Sequence, residues 1–508
     1  MKKYMRVGLQ FLFVCVCMLW LGVSPVKADT SDYLIKTIDG EKVLAYYSGT
    51  DVHVEIPEGV TEIEDYAFHA DSSIESVVIP KGVKKIGVSA FASCENLKSV
   101  EMPDTVTNIG DFAFYRCRNL KEINISTNLQ SLGAGAFYFC RNLESIVIPS
   151  GVKTIGKETF CQCLKLRSVT LSSGLTSIGE SAFEECCCLE SITIPDTVVQ
   201  IDKKAFFWCS RLKKVKMSKN VTEIAEGTFE ECFDLEEITL PAGVEKIGNR
   251  AFYECFCIEK LELPATLTYI GEGAFAYTEC LEEITIPGKV KTIEKYAFED
   301  SGIRKLTLEN GVKTIGDCAF YCCEWLTEVN LPKSLREIKS CAFMLCTRLT
   351  SLVIPEGTQK IRRGIIDSCY NMKTITIPNS VTIIEDGLYS YMGMGFSDEQ
   401  DTAIICKKNS KAYKYAKKHN VKVITDTKLK SLKVNKTKVT LTKGKTFQIK
   451  VTKNPVYATN KITYKSSNTK VATVTSDGKI KAVKKGTCTI TVKSDNGKSK
   501  KIKVTVKN

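Results

Sequence analysis

The sequence predicts a mainly β chain in two parts: a solenoid with a 23-residue period and a parallel sheet, then a small β-sandwich. Three observations predict it. One aromatic position recurs every 23 residues, a β-branched element of period two recurs beside it, and near residue 427 the charged residues become almost purely lysine.

The chain has 508 residues, enough for two to four domains, with 44% hydrophobic and 25% charged residues. Those values exclude wholesale disorder and a multi-span membrane protein. The net charge of +13 hides a split: residues 427–508 hold 22 Lys, no Arg and two acids (Asp477, Asp495), a net of +20, leaving −7 for the rest. Only His53, His69 and His419 occur, which argues against a histidine-based active site. At the start, Lys2, Lys3 and Arg6 precede the apolar run Val7–Val23, and Val26-Lys27-Ala28 has the small-x-small form of a cleavage site. Residues 1–28 therefore read as a secretory signal peptide, with the mature chain beginning near Asp29. Cys15 and Cys17 lie inside the apolar run, so a lipoprotein anchor is not supported.

The anchors run from Phe68 to Phe298 in ten steps of 23 residues; one 22-residue step reaches Phe320, and two further 23-residue steps reach Phe343 and Ile366. After Phe91 the apolar positions are Cys94, Leu97, Val100, Met102, Val106 and Ile109, with Pro103 after the Met and Gly110 after the Ile. Val-x-Met, or Ile-x-Ile elsewhere, alternates with period two and reads as a short strand with one face buried. Proline ends it because it cannot donate to the next ladder. One unit buries nothing alone, whereas stacked units form a long parallel sheet over a continuous core. At about 4.8 Å per strand, fourteen turns make a rod on the order of 65 Å long.

The pattern Ile-Pro-x-x-Val-x-x-Ile-Gly-x-x-Ala-Phe-x-x-Cys-x-x-Leu, nearly intact over Met102–Leu120 and Ile148–Leu166, resembles the BspA-like leucine-rich repeat. The resemblance covers residues 52–390 and implies a bacterial or protist surface protein that adheres to host matrix proteins or other cells. Residues 29–51 read as an N-terminal cap with an Asp39-Gly40 hairpin turn. Residues 391–426 read as a C-terminal cap: strand Thr402–Cys406, basic helix Ser410–His419 and strand Val421–Ile424. In residues 427–508, seven or so alternating strands indicate a β-sandwich. Tyr464-Lys-Ser-Ser-Asn468, Val471-Ala-Thr-Val474 and Gly486-Thr-Cys-Thr-Ile-Thr-Val492 resemble the bacterial immunoglobulin-like domain of group 2, which implies a stalk or adhesion module.

Three sets of residues are candidates for more than scaffolding. Cys94, Cys117, Cys140, Cys163, Cys186, Cys209, Cys232, Cys255, Cys323, Cys346 and Cys369 all sit three residues after the anchor. Thr278 and Ser301 replace Cys in that column, so the niche selects volume and the column reads as a buried structural ladder. A line of thiols does not converge on a point, so no metal is expected. Off the column, Cys257 with Cys280 and Cys318 with Cys341 are the best-placed disulfide pairs. Tyr115, Tyr138, Phe139, Phe207, Trp208, Tyr253, Tyr277 and Tyr321 follow the anchor, with Trp325 nearby, at positions where other turns carry Glu, Gln or Ser. These are the candidate ligand-contacting residues, with packing against the neighbouring turn as the alternative. The third set is the exposed strand positions, such as Glu101, Val147, Thr193, Glu262 and Thr285, a mixed face without a charge pocket.

Catalytic and cofactor motifs do not occur: the sequence lacks Gly-x-Ser-x-Gly, His-Glu-x-x-His, a Walker loop and an EF-hand loop. The expectation is an exported, non-enzymatic binding protein without cofactor. Its rod would engage a host or bacterial surface protein or glycan. The lysine-rich domain, lacking Arg and a row of stacking aromatics, would find anionic wall polymers and no nucleic acid. No transmembrane segment is expected after signal cleavage, so the protein would be secreted or held non-covalently at the surface. An envelope spacer, or the binding component of a carbohydrate-degrading or wall-remodelling system, are the alternatives.

Overall fold

The computed structural model describes residues 30–389, 402–425, 428–454, 458 and 460–507. The expected signal peptide, residues 1–28, lies outside them, as do the domain limits expected at 390–391 and 426–427.

The described solenoid turns, about sixteen, each contribute up to two strands. A front strand such as Ser145–Ile148 buries Ile146 and Ile148 and exposes Ser145 and Val147. It pairs in parallel with Ser168–Leu171, every residue facing its counterpart 23 positions on. A slip of one residue would turn the whole apolar set outward, so the period itself fixes the register. After Pro149 the chain turns, Val152 N–H donating to the Pro149 carbonyl at 3.2 Å, and runs back as a second, two-residue strand, Thr154–Ile155. Its partner is Ser177–Ile178. The sequence reading expected one sheet and the structure has two ladders. The second escaped because its buried positions, Val152 and Ile155, are three apart and show no alternation.

Between the back strand and the next front strand lies the arc that carries the anchor. Residues two before and two after each anchor are left-handed, Ser89 (φ 52°) and Ser93 (φ 62°) around Phe91. The backbone donors then alternate. Ser89, Phe91 and Ser93 donate to Asp111, Ala113 and Tyr115 of the next turn at 2.8, 2.8 and 2.6 Å. Ala92 and Cys94 donate within their own turn, to Ser89 and Phe91, at 3.1 and 3.2 Å. Left-handed non-glycine residues cost about 1–2 kcal/mol each, and here the turn-to-turn bonds offset that cost at every rung. Inside the arc the phenylalanines form one stack, Phe91 and Phe114 having centroids 5.3 Å apart and planes 2° from parallel. Gly110 keeps the next corner tight: a Cβ there would stand 2.7 Å from the Gly87 backbone.

The solenoid begins with an antiparallel hairpin, Tyr33–Ile38 and Glu41–Tyr47, the latter pairing in parallel with Val60–Ile63. Tyr33 and Tyr47 extend the ring stack to Phe68 at 5.0 and 5.2 Å. At the other end Ala403–Ile405 pairs with Thr374–Thr376, and Val423–Ile424 pairs with Ile404–Ile405. A helix, Lys411–Lys418, capped by the Ser410 side chain, lies between these strands in the sequence and buries Ala412, Tyr415 and Ala416. The lysine-rich part has its own core around Val439, Ile480, Ile490, Val492, Ile502 and Val504. Its nine described strands include the antiparallel pair Gly486–Ser494 and Ser499–Lys507, with Lys438–Thr442 parallel to the latter.

Candidate binding surfaces

All eleven column cysteines are fully buried. Each thiol donates to the carbonyl of the preceding turn's anchor, from Cys94 on Phe68 at 3.0 Å to Cys369 on Phe343 at 3.0 Å. The replacements do the same kind of work: Thr278 Oγ1 donates to the Phe275 carbonyl at 2.8 Å, and Ser301 Oγ lies 3.3 Å from Cys323 Sγ. Volume alone therefore does not describe the niche, since Cys, Thr and Ser all bring a donor to it. Burial pushes the Cys94 thiol up to about 12 and the Cys117 and Cys140 thiols well above the ordinary thiol range, which removes their nucleophilicity. All 21 described cysteines are free thiols. Cys318 and Cys341 do meet, their side chains hydrogen-bonded, with the Tyr296 hydroxyl also on Cys318.

The eight aromatic candidates do not form one stripe. Tyr115, Tyr138 and Phe139 come together at 5.4, 6.1 and 4.5 Å between centroids. Phe207 and Trp208 make a second group, at 6.3 Å. Tyr253 and Tyr277 make a third, at 5.3 Å. Tyr321 stands with Cys322 and Glu299. Seven of the eight are half-buried against neighbouring turns, and Trp208 is 42% exposed. Burial pushes the Tyr138, Tyr253 and Tyr321 phenols up to about 12, so they remain hydrogen-bond donors at neutral pH.

Each aromatic group carries cations that the sequence reading did not single out. Arg116 lies 5.7 Å from the Tyr115 ring and 5.9 Å from that of Phe139, and Arg141 5.3 Å from the latter. Lys204 stands 5.1 Å from Phe207, and Arg250 3.9 Å from Tyr253. Arg250 also pairs with the buried Glu230 at 2.6 Å. Arg116, Lys204 and Arg250 stand two residues from an anchor, and Arg141 stands four after one. Lys204 with Phe207 and Arg250 with Tyr253 are three residues apart within one turn, whereas Arg116 with Phe139 joins neighbouring turns.

A hollow was also not foreseen. Front strands pair as far as Glu237–Ile238 and resume at Glu283–Ile286, and no strand forms over the turn between. Elsewhere amides step along this seam, Lys213 to Glu190 at 2.9 Å and Glu236 to Lys213 at 3.0 Å. Among the described residues no such bond joins Glu259 to Glu236 or Glu282 to Glu259, although Leu261 still packs inward. Two turns on, the 22-residue step falls at Gly302, where a Cβ would collide with the Glu279 carbonyl. Together these irregularities open adjoining hollows of about 570 and 610 Å³, both lined by Glu259, Lys260 and Glu282. Trp325, noted in the sequence only as a neighbour of the aromatic column, lies at the rim with Arg348 3.7 Å from its ring. Burial, then Glu279 and Glu324, hold the Asp300 carboxyl above its usual range.

Among the described residues no helix is long and apolar enough to cross a membrane, and no group of three or more His, Cys, Asp or Glu is placed to hold a metal. The profile of the BspA type leucine-rich repeat region matches residues 45–166, 176–304 and 268–394, in six copies. That of the bacterial Ig-like domain (group 2) matches residues 428–505. A kappa-carrageenase from Pseudoalteromonas carrageenovora is 47% identical over 78 residues, 15% of this chain and 20% of that protein, so the chain spans about a fifth of this curated relative. A solved leucine-rich repeat protein from Bacteroides ovatus has a TM-score of 0.51 at 24% identity, covering 77% of this chain and 97% of its own. A leucine-rich cell surface protein from Faecalibacterium prausnitzii gives 0.40 at 24% identity, covering 78% and 98%. At 24% identity the likeness to the Bacteroides ovatus protein is one of fold.

Proposed function

Given that the chain belongs to the BspA-type leucine-rich repeat family and carries a group 2 bacterial Ig-like domain, we propose that it is an exported, non-enzymatic adhesin. Its rod engages a surface protein or glycan of a host or another cell. The observation that carries this reading is the set of three separate aromatic groups, each flanked by cations, just after the anchors of the rod. Rings held by the coil offer contact area at little entropic cost, and cations over their faces add polar recognition. The Ig-like domain, with a net of +20, retains the chain at the envelope through anionic wall polymers.

The test is binding of the chain from Asp29 to an array of matrix proteins, mucin glycans and wall polymers at physiological salt. A triple variant, Phe139→Ser, Trp208→Ser and Tyr253→Ser, goes beside it. Loss of one ligand class by about tenfold or more in the variant supports the reading, since hot-spot aromatics carry at least that much. Binding confined to anionic polymers and unchanged in the variant refutes it.

A further inference from the structure

The hollow at the missing front strand combines two properties that nothing in the adhesin reading uses. The first is a stretch of backbone, Glu259–Leu263, whose amides have no hydrogen-bond partner among the described residues. An extended segment with open N–H and C=O groups is a template for another extended chain. The second is charge. Of eight carboxylates lining the two hollows, Glu282 and Glu283 are paired, with Arg304 and Lys305. Glu259, Glu262, Glu279, Asp300, Glu309 and Glu324 have no ion-pair partner among the described residues, and the lining cations are Lys260 and Arg304. The two adjoining hollows therefore make a trough with a strongly negative wall.

We propose that this trough receives the lysine-rich Ig-like domain of a second copy of the same chain. The occupant follows from charge complementarity within one sequence. The Ig-like part holds 22 Lys against two acids, while the remainder of the chain has a net of −7. Like-charged rods repel and like-charged tails repel, so the favourable contact between copies is tail to rod. Lysines on alternate positions suit a trough with an open backbone, since an edge strand can bring both amides and ammonium groups to it; Ile462–Ser466 is paired on one side only, and Lys461, Thr463 and Lys465 along it are exposed. The contact uses different patches on its two partners. It is therefore heterologous and propagates into chains of molecules rather than closing as a symmetric dimer.

The experiment is sedimentation velocity of the chain from Asp29 to Asn508 over a wide range of concentration, at low and at molar salt. Wild type should grow in mass with concentration at low salt and return to monomer at high salt, because screening shortens to a few Å. A trough variant, Glu262→Lys with Glu279→Lys and Glu324→Lys, and a tail variant, Lys465→Glu with Lys481→Glu and Lys501→Glu, should each associate at least about tenfold more weakly. All six are exposed and, apart from the proposal, bear no ion pair among the described residues, so each variant should fold. Mixed together, the two variants should form a one-to-one dimer that grows no further, since the mixture holds one intact trough and one intact tail. A monomer at every concentration overturns the proposal, whether or not its shape responds to salt. So does self-association that survives the trough variant, or a mixture that fails to restore the dimer. These outcomes are independent of the array above.

Discussion

Replacing three neighbouring ladder cysteines, Cys163, Cys186 and Cys209, once by Thr and once by Val separates two accounts of the niche. Thr and Val have the same shape and differ in one donor. Each of these thiols is fully buried and donates to a carbonyl one turn back, at 3.2, 3.3 and 3.1 Å. Thr at Thr278 already bonds the anchor carbonyl of its own turn, at 2.8 Å, so the hydroxyl has a partner within reach. If volume alone mattered, Val would be the better replacement, because an unpaired buried hydroxyl costs about 1–3 kcal/mol. If the donor matters, each Thr keeps a hydrogen bond worth about 0.5–1.5 kcal/mol. The triple Thr protein should then exceed the triple Val protein by about 0.5–1.5 kcal/mol per rung, with coupling between adjacent rungs setting how far the three terms sum. Urea unfolding followed by far-UV circular dichroism gives the order directly. A triple Val protein as stable as the triple Thr protein, or more so, would refute the hydrogen-bond argument and return the column to simple packing.

Three further outcomes are expected. Ladder thiols such as Cys117, Cys140 and Cys163 titrate far above the ordinary thiol range because burial disfavours the thiolate. Their contribution is therefore complete below about pH 8.5, the unfolded value, and is lost as pH rises above it, by about 1.4 kcal/mol per pH unit for each thiol; urea midpoints measured from neutral to alkaline pH should stay flat and then fall. Arg250→Met should destabilise the rod by about 3 kcal/mol, because Glu230 is left buried without its 2.6 Å partner. Adding Glu230→Gln should recover most of that in thermal unfolding. Gly478→Ala places a Cβ 2.8 Å from the Tyr464 ring at a φ of 88°; it should lower the stability of the Ig-like domain by about 1–3 kcal/mol, read from hydrogen exchange of Gly486–Ser494, while the solenoid amides stay unchanged.

Much of this architecture was legible before any coordinate. The 23-residue beat fixes the register of every rung, because identical positions must stack if each unit is to bury its apolar face. The Phe stack and the buried Cys column follow from that alone, as does the change of texture at the lysine-rich domain. Aromatic candidates were also legible as residues, though not as groups. Tyr138 meets Tyr115 and Tyr277 meets Tyr253 on consecutive turns, whereas the turns that carry Cys161 and Glu184 in the same place separate the first group from Phe207. The cations over those rings stayed hidden because non-glycine residues in left-handed conformations leave no mark in a sequence.

What the sequence by itself determined is therefore everything that repeats: period, core and strand phase, since a periodic interior admits one registration. Tertiary structure decided what departs from the repeat. The 22-residue step was visible as a number, but its effect was not. Only stacking shows that the shortened turn at Gly302 and the unpaired segment at Glu259–Leu263 lie two turns apart and border the same hollow. A defect in a solenoid is felt by the neighbouring rungs, 23 residues away in sequence and about 4.8 Å away in space.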